Sequence, residues 1–282
     1  MGGGSYSLDN RAIRSSIKGY ATASINETFT RKSIDNAMNP KNISIRESRD
    51  SDEHPESIAI ILGLDHTGSM GKIPHHLVKE GLPHMMGKII EKGCEHPQVL
   101  FLGIGDHLCD NAPLQVGQFE SNDELLDKWL TELYLEGNGG GNGGESYSLA
   151  WYFAANHTSI DCFEKRKQKG FLFTVGDEPV HHLINSSFLK SLMGDGEYSN
   201  QTAEELFKKA SNMYNVYHLH TTETMTGSRA HVINGWKTLI GNNLILVDNH
   251  KDIANIIADT IIKHNIKKEN PTIIKNKQEI IL

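Results

Sequence analysis

The sequence predicts an α/β fold, an open and mostly parallel sheet with helices on both faces. Strand-like and helix-like stretches alternate several times along its 282 residues, the pattern of a parallel sheet covered on both sides. The run Ile58 to Leu64 carries no polar side chain, as a strand buried on both faces requires. It ends abruptly in Asp65, Thr67 and Ser69 around a glycine. The C-terminal edge of a central strand is where sheets of this kind place ligands.

Residues 1–49 are polar and rich in Ser, Asn and Arg. They read as an arm without an evident regular element, wrapping the surface through Ile13, Ile17, Tyr20 and Ile25. The charge cluster from Arg46 closes at Pro55 and marks a boundary. The domain is therefore set at residues 50–265 and a tail at 266–282. Gly71 to Lys92 reads as helix, with Pro74 in its first turn and Gly81 and Pro83 expected to kink or split it. Val99 to Ile104 is a second strand, followed by Gly105, Asp106 and His107. Pro113 to Phe119 alternates as an edge strand does, and Asp123 to Leu135 is an amphipathic helix with Leu125, Leu126, Trp129, Leu130 and Leu133 on one side. A glycine loop, Gly137 to Ser146, feeds a helix from Tyr147 to Ala155 whose Trp151 stretch reads as core. Gly170 to Val175 is a buried strand ending in Gly176, Asp177 and Glu178. A helix from Thr202 to Tyr214, strands at Val216–His220 and Asn243–Asp248, and a helix from Asp252 to Lys263 complete the chain.

Composition excludes several classes. The formal charge of −7 and 22% charged residues describe an ordinary protein, and its slightly basic ends read as solvated, so nucleic acid is not expected as a partner. No apolar run approaches the ~18 residues of a membrane span, and no secretory leader is evident, so the chain is expected in the cytoplasm. Cys94, Cys109 and Cys162 show no CxxC spacing, which argues against a disulfide scaffold or structural zinc; buried, inert thiols are expected.

Three segments carry hard oxygen donors at strand or helix ends: Asp65-His-Thr67-Gly-Ser69, the glycine loop with Asn142 and Glu145, and Gly176-Asp177-Glu178. Oxygen ligands suit Mg²⁺ or Ca²⁺ rather than a soft metal. For the first segment, a plain helix cap is the competing reading. In their order these segments resemble the metal-ion-dependent adhesion site of von Willebrand factor A (VWA) domains. With Asp50 to Pro55 and Ala112 to Phe119 they resemble one bacterial and phage-associated set of VWA-containing proteins. The resemblance implies a Rossmann-like sheet and a Mg²⁺ site, with Mn²⁺ or Ca²⁺ as substitutes. In it Thr67 and Ser69 bind the ion directly, and Asp65 and Asp177 act mostly through waters. Where many VWA domains place a threonine, this loop offers Asn142, Glu145 and Ser146. Asp106, His107 and Glu178 are expected to flank the site.

The function implied is non-enzymatic: a protein-interaction module whose metal captures an acidic side chain of a partner. A metal-assisted hydrolase on the same edge, with His107 and Glu178 as candidate bases, is the alternative. So is a structural component of a virion or larger assembly, if the protein is phage-encoded. The glycine loop lacks the GKS or GKT of a phosphate-binding P-loop. The pairs His75-His76, His181-His182 and His218-Leu-His220 would serve a zinc enzyme only if they converged. Oligomeric state is not readable.

Overall fold

The computed structural model describes residues 4–137 and 143–269; the side chains of Ser69 and of residues 265–269 lie outside the described part. Six strands form the central sheet: β1 (Ile58–Asp65), β2 (Pro97–Ile104), β3 (Leu114–Val116), β4 (Gly170–Gly176), β5 (Tyr214–Thr221) and β6 (Leu244–Val247). Their order is β6-β5-β4-β1-β2-β3, and every pair is parallel except β2 with β3. This is the doubly wound arrangement, a Rossmann-like sheet whose topological switch point lies at β1.

The eight residues of β1 are all buried, and its pleat divides them between two cores. Ile58, Ile60, Leu62 and Leu64 face one layer, formed largely by the helices α2 (Leu82–Glu91), α3 (Asp123–Thr131) and α8 (Ile253–Glu269). Ala59 and Ile61 face the other, formed by α4 (Tyr147–Asn156), α5 (Ser186–Met193), α6 (Ala203–Ala210) and α7 (Ala230–Ile240). Trp151, Tyr152, Phe153 and Ala154 of α4 are core, as expected.

Helix boundaries depart from the sequence reading where tertiary pairing overrides periodicity. The stretch expected to kink or split at Gly81 and Pro83 stays helical through a wide turn over Leu77–Gly81, closed by the Leu82 N–H on the Leu77 carbonyl. A π-turn absorbs the missing proline donor in place of a break. Helix α6 stops at Ala210, because Tyr214 pairs with Gly170 as the first residue of β5. Helix α8 runs on to Glu269, past the expected Lys263. The rest of the expected tail, from residue 270, lies outside the described residues.

The arm contains a helix that the sequence reading left unassigned, α1 (Leu8–Lys18), capped by the Ser7 side chain and by Gly19 at φ 66°. Its signals are polar ones. Ile13 and Ile17 are 60% and 78% exposed, and Arg11 is the buried residue, bonded to the Val78 carbonyl and paired with Asp127 at 2.7 Å. Arg14 pairs with Asp123 and Asp127. Farther along, Tyr20, Phe29 and Met38 join the core beside β1.

Where the arm meets the sheet, two carboxylates act as clamps. Asp50 accepts from Arg166 at 2.6 Å and from the Ser57 hydroxyl at 2.8 Å. Asp161 pairs with Arg49 and Lys165 and accepts the Asp50 N–H. Burial is the largest single influence on each carboxyl and works upward. The Arg166 and Ser57 contacts on Asp50 outweigh it, as do the Lys165, Asp50 N–H and Arg49 contacts on Asp161, so both sit below the usual range. A depressed carboxyl contributes stability above the unfolded value of about 3.9 and loses it as pH falls through the folded value. The excess urea midpoint of wild type over Asp50→Asn is expected to be constant from pH 7 to about 4 and to shrink below that; a difference that does not change with pH would discount the clamp.

Candidate cation site at the sheet edge

The loop after β1 turns sharply at Gly68, whose φ is +43°, a conformation glycine adopts without strain. Asp65, buried at the end of the strand, accepts the Thr67 N–H at 2.9 Å and the Thr67 hydroxyl at 2.7 Å through one oxygen. Its other oxygen accepts the Tyr147 hydroxyl at 2.8 Å. Thr67 Oγ1 also stands 3.1 Å from Glu145 Oε1. A threonine has one hydrogen to give, so two carboxylates compete for it. The second oxygen of Glu145 is buried with no hydrogen-bond partner. Burial first, and then the charges of Asp65 on Glu145 and of Asp177 on Asp65, push both carboxyls above the ordinary range. Asp177 follows β4 and is buried beside them. Among the described residues, no Lys or Arg forms an ion pair with Asp65, Glu145 or Asp177.

The three predicted segments meet at the switch point, and Thr67 stands at the N-cap position of the short turn Gly68–Gly71 without a side-chain capping bond. Asn142 and the Ser69 side chain lie outside the described residues. Glu178 adjoins Asp177, yet its carboxyl lies near Thr226 and Arg229. Its main chain does the positioning, with the N–H 3.4 Å from the Tyr147 hydroxyl and the carbonyl accepting Trp236 Nε1 at 3.0 Å. Tyr147 was legible in the sequence only as the start of a helix. Gly176 makes room for it: a Cβ there would overlap the tyrosine hydroxyl.

Next to this edge lies a second group. Asp106 follows β2, and its Oδ1 accepts His181 Nε2 at 2.8 Å and the Leu108 N–H at 2.9 Å. His107 Nδ1 is 2.7 Å from Ser146 Oγ, which also accepts the His107 N–H at 2.9 Å. Burial, then His181 alongside, lowers the His107 pKa. Cys109 corrects the expectation of buried thiols: it is exposed, and its Sγ donates to Asp106 Oδ2 at 3.1 Å. Desolvation and that bond push the thiol up to about 12. Cys94 and Cys162 are buried, as expected. The other histidine pairs do not converge. His75 bonds Ala23, His76 meets His250, and His218 stacks on Trp236 at 3.6 Å while its Nδ1 faces Thr174 Oγ1.

No family model and no curated protein matches the chain. Among solved structures it is similar to the pilus adhesin SpaC of Lactobacillus rhamnosus GG in its open conformation, at 12% identity and a TM-score of 0.50. That match covers 78% of this chain and 31% of the adhesin, so the chain spans about a third of the adhesin's length. A second structure of the adhesin matches at 13% identity and a TM-score of 0.49, over 78% of this chain and 32% of that one. Proximal thread matrix protein 1 of the mussel byssus matches at 6% identity and a TM-score of 0.42, over 76% of this chain and 47% of that one. At these identities the likeness is one of fold alone. No helix among the described residues is long and apolar enough to cross a membrane.

Proposed function

We propose that the chain is a VWA-type, divalent-cation-dependent protein-interaction module, acting without catalysis through the edge formed by Asp65, Thr67, Glu145 and Asp177. One observation carries the reading: Glu145 and Asp65 share a single threonine hydrogen, and Glu145 keeps a buried oxygen without a partner. An unpaired buried carboxylate is costly, and a hard cation is the partner that suits three carboxylates and a hydroxyl. Mg²⁺ fits this donor set, with Mn²⁺ or Ca²⁺ as substitutes; Ser69 and Asn142 are further donors that the resemblance implies. Bound there, the ion offers an open coordination position to a partner's acidic side chain.

The geometry supports this over the hydrolase reading. The Glu178 carboxyl lies near Thr226 and Arg229, and His107 Nδ1 faces Ser146 and Asp106, so neither is aimed at the Asp65 edge as a base. Asp177→Asn keeps the shape and removes the charge, and it is expected to weaken Mg²⁺ roughly 10–100-fold with near-normal stability of the metal-free chain. Calorimetry, and capture of partners from native lysate with and without EDTA, test both halves. Metal affinity equal to wild type in Asp177→Asn would remove β4 from the site, and EDTA-insensitive capture would remove the cation from the function.

A further inference from the structure

We propose that Asp106, His107 and His181 form a second metal site, one built for a borderline first-row ion of the Zn²⁺ class. One donor atom from each residue lies within 4.8 Å of the other two. His181 Nε2 is 2.8 Å and His107 Nδ1 4.0 Å from Asp106 Oδ1. A tetrahedral ion with bonds of about 2.0–2.1 Å holds its ligands roughly 3.3 Å apart, so each donor needs to shift by well under its own bond length. Two imidazoles and one carboxylate suit Zn²⁺ and its neighbours, whereas Mg²⁺ and Ca²⁺ take oxygen. The two sites therefore differ in the ion they select, and this one does not rest on the Asp65 edge.

The donors are held as ligands are held elsewhere, by a supporting shell that fixes their orientation. The Asp106 side chain is 1% exposed and is oriented by the Leu108 N–H. His107 is held by its main-chain N–H on Ser146 Oγ at 2.9 Å and packs on Phe188 with ring centroids 4.9 Å apart; the same hydroxyl, 2.7 Å from Nδ1, yields that nitrogen to the ion. His181 lies edge-on to His107 at 5.0 Å and abuts Gly144, where a Cβ would meet its ring at 2.8 Å. Its main-chain N–H is tied to the Glu145 carbonyl at 3.1 Å. The His181 side chain is 15% exposed, which leaves one donor within reach of solvent.

A nucleophilic triad is the competing reading of Ser146, His107 and Asp106, and the geometry speaks against it. A triad histidine uses one ring nitrogen for serine and the other for the carboxylate. Here Ser146 and Asp106 both approach Nδ1, at 2.7 Å and 4.0 Å. Three protein donors leave one tetrahedral position for water or an incoming ligand, and the exposed Cys109 donates to the other oxygen of Asp106.

The test is stoichiometric metal retention by the full chain. EDTA-stripped protein is loaded with Zn²⁺, passed through gel filtration and analysed for metal, and a parallel sample is loaded with Co²⁺ and read in the visible range. Wild type and Asp65→Asn are expected to retain one Zn²⁺ in this site, and His107→Gln and His181→Gln to lose it while still melting cooperatively. The Co²⁺ spectrum of wild type should show the intense bands of a four-coordinate, imidazole-bound ion, a readout that needs no variant to fold. Zn²⁺ retained equally by the His107 and His181 variants, no Zn²⁺ retained by wild type, or a pale six-coordinate Co²⁺ spectrum would each overturn the proposal. Loss in Asp65→Asn alone would do so too, by placing the ion on the acidic edge.

Discussion

Exchanging Glu145 for Gln is expected to make the metal-free chain more stable and at the same time to abolish its response to Mg²⁺. In the metal-free chain Glu145 is 4% exposed, faces Asp65 across one shared hydrogen and has an oxygen without a partner. A neutral amide of the same size can donate to Asp65 or Thr67 without first taking up a proton, a gain on the order of 1 kcal/mol. An ion bound at about 100-fold over its Kd stabilises the wild type by roughly 2.7 kcal/mol. Thermal melts after EDTA treatment, with and without added Mg²⁺, read both effects in one experiment. Asp65→Ala should likewise remove the Mg²⁺ shift, although it also forfeits the bonds from Thr67 and Tyr147. A wild type that does not shift with Mg²⁺, Mn²⁺ or Ca²⁺ would mean that a proton, not a cation, sits between these carboxylates.

Trp236→Ala should cost about 3–5 kcal/mol, as truncation of a buried aromatic residue does. Trp236 is 1% exposed, stacks on His218 at 3.6 Å and meets Tyr147 and Trp151 edge-on. Its Nε1 holds the Glu178 carbonyl, so it stands directly behind the loop that carries Asp177. Trp236→Phe keeps most of the packing and loses the donor. It is expected to recover most of the stability while leaving the Asp177 loop less well fixed, seen as a weaker Mg²⁺ shift at near-normal melting temperature. A cost below about 1.5 kcal/mol for Trp236→Ala would mean that α7 repacks and does not support the site.

Strand positions were legible because burial on both faces leaves a plain mark. Ile58 to Leu64, Val99 to Ile104 and Gly170 to Val175 lack charged side chains, and each lies within an observed strand. That mark also placed Asp65, Asp106 and Asp177 at one edge of a parallel sheet, since all three follow strands running the same way. Helix α1 left no such mark. It is fastened by Arg11 and Arg14 to Asp123 and Asp127, more than a hundred residues away, and its isoleucines face solvent, so hydrophobic periodicity had nothing to report. Helices α5 and α7 carry no such mark either. Trp236 and Val232 of α7 bury against a face that exists only once β4 and β5 are paired.

The site divides the same way. Residue type and order disclosed its oxygen donors, because a carboxylate at the end of an apolar strand is conspicuous in a sequence. Contact was decided by the tertiary structure alone. Thr67 and Glu145 are 78 positions apart, Asp65 and Tyr147 are 82, and Asp106 and His181 are 75. No local rule links residues so distant; the parallel crossovers bring each pair together at the sheet edge. The sequence determined which chemistry was available there, and the winding of the sheet decided which groups share a hydrogen, which carboxylate oxygen is left without a partner, and that two histidines and an aspartate meet beside them.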